Sequence, residues 1–482
     1  MKNIKGTAMS LWTNKNRVQA QPSKLKWVSR VLPVALLLLL CAGAISYFPK
    51  AAKGGSKSAL ATDPGPRPLP ANAGGFLGTL SANETQIEPS ITAEFDRVHD
   101  VIVTSPTDGG LGPRFNSNSC ASCHAYPAVG GSSPPSNPLF NVYKYNGANN
   151  TMPSFESASG PILEARFINQ PGTTIPDGNV HQLFTISGRS DAAACSISQP
   201  DFITAAADGN LVLRQVTPTY GAGLIEVIRN SDIVANMNAN QTIKQTLGIT
   251  GHPNYSGNDG SIMRFGWKAQ VRSTLLMAAL QMNVEMGVTN ETYPTEIDQT
   301  PGCLLNPVPE TVSNFTPGIL TEMFPDDRAR TEYFIQWLNP PTPGPSSNST
   351  KNGKTQFTNA GCVYCHSTSF TTPSTSRPAL SKITINLYSD LLVHHMGPGL
   401  ADGLAQGGAG PDEFRTAPLW GIGQRLWFMH DGRTNNIVTA IEDHYSVGNG
   451  TYGSSEANQS VTNFNALSSK NQQDLVNFLR SL

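Results

Sequence analysis

Cys120-Ala121-Ser122-Cys123-His124 and Cys362-Val363-Tyr364-Cys365-His366 are two copies of one pattern, C-x-x-C-H. On a helical turn, residues i and i+3 face the same way, so both thiols of a copy point at one object. The histidine at i+4 lies beneath that object. Two thioethers to the vinyl groups of one porphyrin, with an imidazole on its iron, need this arrangement, which is the attachment site of c-type haem. A zinc site built from two C-x-x-C pairs leaves both histidines unexplained. A thioredoxin-like redox pair needs a βαβ setting, which neither copy has. The pattern therefore predicts two covalently bound haems c. Phe115 and Phe357 each lie five residues before the first Cys of their copy. They are candidates for packing beside a porphyrin edge, or for ordinary core.

The two copies stand 242 residues apart, too far to share one small cytochrome domain. Residues 352–366 (NGKTQFTNAGCVYCH) read as an opening helix running into the second haem turn. Residues 471–482 (NQQDLVNFLRSL) place Leu475, Phe478, Leu479 and Leu482 at helical spacing, as a closing helix. Opening helix, haem turn and closing helix are the parts of a class I cytochrome c, assigned here to 349–482. A Pro-rich linker, 339–348, precedes it. Upstream, 328–338 (RARTEYFIQWL) reads as the closing helix of a first haem domain, 75–338, whose opening helix falls near 92–99. Residues 127–325 would then be an insertion. Part of it is β-like, at 162–168, 182–186 and 211–216. Residues 264–286 read as a helix with a Met-rich face (Met277, Met282, Met286). The expected fold is mainly α, with two class I cytochrome c-like domains and a large irregular, partly β insertion in the first.

Of the 482 residues, 38% are hydrophobic and 14% charged, enough for a core. With 44 Gly and 36 Pro the chain is loop-rich, and no Gly period or heptad run marks collagen or a coiled coil. The net charge of −1 hides an asymmetry. Residues 1–44 carry seven Lys or Arg and no acid, which leaves 26 basic against 34 acidic residues beyond them. So acidic a body lacks the basic face that nucleic-acid binding needs. An 18-residue apolar run, 31–48, follows the basic stretch and contains Ala42-Gly43-Ala44. This reads as an export signal with an A-x-A cleavage site. A retained anchor is the alternative, since 18 residues is near the lower limit for a span, and a buried core helix is a third reading. Residues 1–50 are thus a signal peptide or N-terminal anchor, and 51–74 a flexible tether. Either way the body is expected in the periplasm or otherwise outside the cytoplasm, free or anchored to the inner membrane. There Cys195 and Cys303 would form a disulfide, free buried thiols being the alternative.

Several stretches, in order, carry a resemblance: FNSNSCASCHAYPAVGG (115–131), RFGWKAQVRS (264–273), NVEMGVTNE (283–291), HHMGPGLADG (394–403), EFRTAPLWGIG (413–423) and MHDGR (429–433) with a later His. Over residues 75–482 the chain resembles the di-haem c-type oxidoreductases described as peroxidases or thiol oxidoreductases. More distantly it resembles bacterial di-haem cytochrome c peroxidase and MauG. In the distant relatives the distal ligand of one haem comes from the helix after the HDG motif. Here that place belongs to His444, fourteen residues past His430. The resemblance thus implies iron ligation by His124, His366 and His444. The relatives use Met or Tyr at the last position, so His implies bis-His ligation and a lower potential than His/Met. A solvent-facing His444, with Met396 as ligand instead, is the competing reading. His430 is read as hydrogen-bonding near the haem edge.

For the first haem no downstream His is well placed; His181 and His252 fall in the insertion. Met277 or Met286 could reach it, or could be core filler. An open site there would suit peroxide cleavage, which needs an acid/base to move a proton between the oxygens. Glu226 is the candidate and Glu285 another, surface salt bridging being the bland reading of both. Trp420 and Trp427 are candidate electron relays, or core. The functional expectation is reduction of peroxide, with electrons passed between two haems from a small redox protein or a quinol-linked donor. The second haem would accept the electrons and the first would meet peroxide, or the reverse. A pure electron-transfer cytochrome and an oxidase of a thiol or protein side chain are the alternatives. A calcium ion between the haems would fit the distant relatives, although no acidic cluster marks its site.

Overall fold

The computed structural model describes residues 61–68, 73–103, 108–312 and 326–482. The export segment read at 1–50 lies outside them. The described residues belong to one compact unit.

Two helix pairs frame this unit. Ala82–Asp96 starts at a capping box, in which Ser81 and Glu84 satisfy each other's main-chain N–H groups. Asp327–Trp337 starts at Asp326, whose carboxylate accepts from Ala329 N at 2.6 Å. The two pack together, with Phe95 stacked on Phe334 at 4.1 Å between ring centroids. The second pair repeats the plan. Asn348–Asn359 starts at Ser347 and Ser469–Ser481 at Ser468. They cross at Gly353, where a Cβ would lie 1.9 Å from the Asp474 carbonyl oxygen. Phe357 meets Phe478 edge-on at 5.5 Å.

The region between the pairs is irregular. Leu163–Phe167 pairs antiparallel with Leu211–Gln215, and Arg114–Phe115 with Phe184–Thr185, close to the expected strands. Cys195 and Cys303 are joined in a disulfide. The helix expected from residue 264 begins later, as Thr274–Met286. Gly266 at φ 81° and Ala269 at φ 49° fold 264–271 back on itself instead. Arg264 N then donates to Val271 O and Val271 N to Phe265 O across that turn, and Ser273 caps the helix. Apolar periodicity ran through this turn and concealed it.

The architecture is mixed rather than mainly α. Helix makes up 31% of the described residues, and every sheet among them has two strands. Gly and Pro break the intervening chain into turns. The first helix pair shares a common core with segments that follow the second motif, where Phe95, Phe334 and Trp337 bury with Phe370, Leu380, Leu391 and Trp420, whereas the second pair has its own core around Phe357, Leu475 and Phe478. No helix among the described residues is long and apolar enough to cross a membrane.

Candidate redox centres

The first C-x-x-C-H lies on a single helical turn, Cys120–Cys123, and His124 N bonds back to Cys120 O at 3.0 Å. The following loop curls round so that the His124 Nδ1–H donates to Gly131 O at 3.1 Å. At the second motif Cys362–Tyr364 forms a tighter turn entered through Gly361 at φ 94°. There the His366 Nδ1–H donates to Tyr388 O at 3.0 Å. In both copies the carbonyl takes the Nδ1 proton and so leaves Nε2 with its lone pair, the form that binds a metal. Phe95 lies 6.0 Å from the His124 ring and Phe357 6.3 Å from His366. Phe95, not Phe115, is therefore the counterpart of Phe357; Phe115 is buried against Phe184.

Cys362, Cys365 and His366 line an apolar cavity enclosing about 1410 Å³ of empty space, its open mouth included. His444 lines the same cavity. Its Nδ1–H donates to Ala440 O at 2.6 Å, so its Nε2 is bare as well. Burial pulls His366 down to about 4, with the nearby His444 adding to the effect. Burial also lowers His124 and His444. All three imidazoles are thus neutral near pH 7, as ligation requires. The thiols move the other way: burial raises Cys123 and Cys362 to about 12 and also raises Cys120 and Cys365. Reactive redox pairs need a depressed thiol pKa, so these are unsuited to dithiol exchange. Nor do the four Cys converge on one zinc. The one close His/Cys/carboxylate group among the described residues is Cys365, Asp390 and His394. A porphyrin with two thioether links and imidazole ligands fits these residues.

Met396 and His430 also line the second cavity. His430 stacks on Phe414 at 4.3 Å, and burial pulls it down to about 4. His394 is held between Asp390 at 3.0 Å and Glu456 at 2.7 Å; against the opposing effect of burial, Cys365 and Asp390 raise its pKa. Trp420 belongs to the common core, and the Trp427 indole N–H is buried without an acceptor. Trp267, within the RFGWKAQVRS stretch, lines the cavity instead and donates to Gln215 O at 3.1 Å. Gln215 N bonds to His430 O, and the next residue, Val216, accepts from Ser132 in the loop that holds His124. One strand end thus touches the surroundings of both motifs. Proximity of Trp267 to this strand end was not legible in its sequence position.

Glu226 does not face a motif. It accepts from Thr274 N, Thr274 Oγ1 and Gln336 Nε2, which makes it an anchor for the helix Thr274–Met286. Glu285 ends that same helix beside the first motif. Its carboxylate accepts from Asn116 Nδ2 at 2.7 Å, and its carbonyl holds Asn116 N and Ser117 N just before Cys120. Burial raises the Glu285 pKa, and the neighbouring Glu164 carboxylate raises it further. His181 bonds Asp177 and stacks on Phe167, while His252 bonds Glu413. Met286 is buried in the core that also takes Cys120 and Cys123, and Met277 packs on the common core.

Among solved structures the chain matches hydrazine synthase of Kuenenia stuttgartiensis, at 13% identity over 91% of this chain and 100% of that one (TM-score 0.33). It matches the diheme peroxidase BthA of Burkholderia thailandensis at 14% identity over 66% and 94% (TM-score 0.27). A MauG-like protein associated with microbial copper homeostasis matches at 14% identity over 54% and 88% (TM-score 0.26). No curated protein matches significantly. Residues 171–482 match a family model described as "Di-haem oxidoreductase, putative peroxidase", a family that carries two haem groups. The chain belongs to this di-haem oxidoreductase family.

Proposed function

We propose that the protein is an exported c-type di-haem oxidoreductase that reduces peroxide at the first centre with electrons received at the second. In this reading the two helix pairs are two cytochrome c-like halves. Cys120 and Cys123 attach one haem, Cys362 and Cys365 the other, and His124 and His366 ligate the irons. The observation that carries the proposal is an asymmetry. The second cavity has a further imidazole, His444, with a bare Nε2. Beside the first motif stands a half-buried carboxyl, Glu285, instead. His99, a second imidazole in that half, is turned to Gly109 O and Glu94.

Bound haem would supply one-electron storage and, at an open coordination position, peroxide activation. The chain's own residues do the rest. His366 and His444 would both hold the iron of the second haem, which would suit electron transfer. Asn116 orients Glu285. Kept protonated by burial and by Glu164, Glu285 holds the proton that must move between the peroxide oxygens. Overall, peroxide takes two electrons and two protons and leaves as two waters. The donor is a small redox protein or a quinol-linked carrier. The Cys195–Cys303 disulfide supports a location outside the cytoplasm, in the periplasm or on the outer side of the inner membrane.

Low-temperature EPR of the half-reduced protein tests the reading. A high-spin ferric signal that peroxide removes is expected. Two low-spin centres unchanged by peroxide would leave an electron-transfer cytochrome instead.

A further inference from the structure

We propose that Arg415 and Arg425 form an anion clamp in the second cavity, receiving the propionate carboxylates of its haem and thereby setting the porphyrin's orientation and potential. This rests on the haem reading above.

Both side chains line the cavity. Arg415 leaves the strand Glu413–Arg415, and its guanidinium reaches only main-chain oxygens, Gly266 O at 3.0 Å and Thr416 O at 3.5 Å. Arg425 follows the turn Ile422–Gln424, and its guanidinium has no acceptor among the described residues. Burial alone pulls it down to about 10. Arg415 is also lowered to about 10, by burial and then by the charge of Arg425.

The acids nearby are already committed. Asp390 bonds Leu392 N and His394, and Glu456 bonds His394 and Thr250. Two half-buried cations thus open onto one cavity with no carboxylate of the protein bonded to either, only the charge of Asp390 acting on Arg415. A buried charge without a partner is strongly unfavourable. The cavity is therefore built for an occupant that brings its own anions, and a planar guanidinium matches a carboxylate edge to edge. Haem meets both demands, with an apolar ring for the walls and two carboxylates for the arginines. Cationic neighbours favour the reduced form of the iron, because reduction adds negative charge beside them.

The test is a spectroelectrochemical titration of the holoprotein from pH 5 to pH 8, with Arg425→Gln and Arg425→Lys, and covalent haem counted by mass. Arg425→Gln should keep both haems. At fixed potential it should shift the second centre about tenfold toward ferric, about 59 mV lower. It should also add a pH dependence, as the freed propionate titrates in this range. Arg425→Lys should restore most of the potential. Both haems present with potential and pH profile unchanged in Arg425→Gln would overturn the clamp. Should that variant fail to fold, resonance Raman of the propionate bending mode in Arg425→Lys decides, and an unshifted mode overturns it. A wild-type chain without covalent haem would instead overturn the parent reading.

Discussion

The His444 Nδ1–H donates to the carbonyl of Ala440, one helical turn back, at 2.6 Å. This bond does for His444 what Gly131 O does for His124 and Tyr388 O does for His366. Each carbonyl holds one ring proton and leaves Nε2 with a lone pair. Replacing His444 should therefore open the second centre. His444→Ala is expected to convert it from low-spin to high-spin ferric. His444→Met should stay low-spin with a raised potential, since thioether ligation favours the ferrous state. An unchanged low-spin spectrum in His444→Ala would transfer the ligand role to another wall residue such as Met396.

Glu285 and Glu226 separate catalysis from scaffolding. Glu285→Gln removes the ionisable proton beside the first motif but can keep the contact with Asn116. The kcat for peroxide reduction should fall about 10²–10⁴-fold with haem content intact. In the wild type, the raised Glu285 pKa predicts a loss of activity on the alkaline side, as the carboxyl gives up its proton, and Glu285→Gln should lack that limb. Glu226→Gln should instead lower thermal stability with little change in kcat, because its partners are Thr274 and Gln336. Stopped-flow rates and melting curves on both variants check the contrast.

Local patterns were legible in the sequence where a short segment decides its own geometry. The C-x-x-C-H turns, the closing helices and the three insertion strands follow from spacing and alternation. The start of the helix at Thr274 was hidden because the turn at Gly266–Ala269 keeps the apolar rhythm on both sides. Phe95 as partner of His124 was hidden for another reason. The first opening helix ends at Asp96, 24 residues before Cys120, whereas the second runs almost directly into its motif. Glu226 stands ahead of Glu285 as a candidate on sequence; only the chain path brings Glu285 beside Cys120 and gives Glu226 to a helix N-terminus.

Gly353 is the point of closest approach between the second opening and closing helices. A Cβ there would meet Asp474 O at 1.9 Å and the Asp474 carbonyl carbon at 2.6 Å. Main chain cannot yield as a flexible side chain does, so the helices must separate. Gly353→Ala should cost roughly 1–3 kcal/mol or more, as overpacked cores do. The loss should appear as a lower midpoint in chemical denaturation. Ser349→Ala, which removes a bond to Asp474 Oδ1 without adding bulk, should cost less.

Glu156 tests the electrostatics of the buried loops. It is 7% exposed and accepts from Leu163 N at 2.9 Å and Asn137 Nδ2 at 2.5 Å. Burial outweighs these bonds and raises its pKa from 4.5 to about 7. The folded state therefore keeps a proton that the unfolded chain releases near pH 4.5. Its contribution is fully present below that pH and is lost as pH rises through about 7. The loss is on the order of 3 kcal/mol. Glu156→Gln cannot ionise, so the stability difference between variant and wild type should move in the variant's favour across this window. Asn137 loses an acceptor in the variant, which lowers its stability at every pH but leaves the slope. Unfolding free energies of the two proteins from pH 4 to pH 8 give that slope, and parallel curves would mean that Glu156 is already ionised when folded.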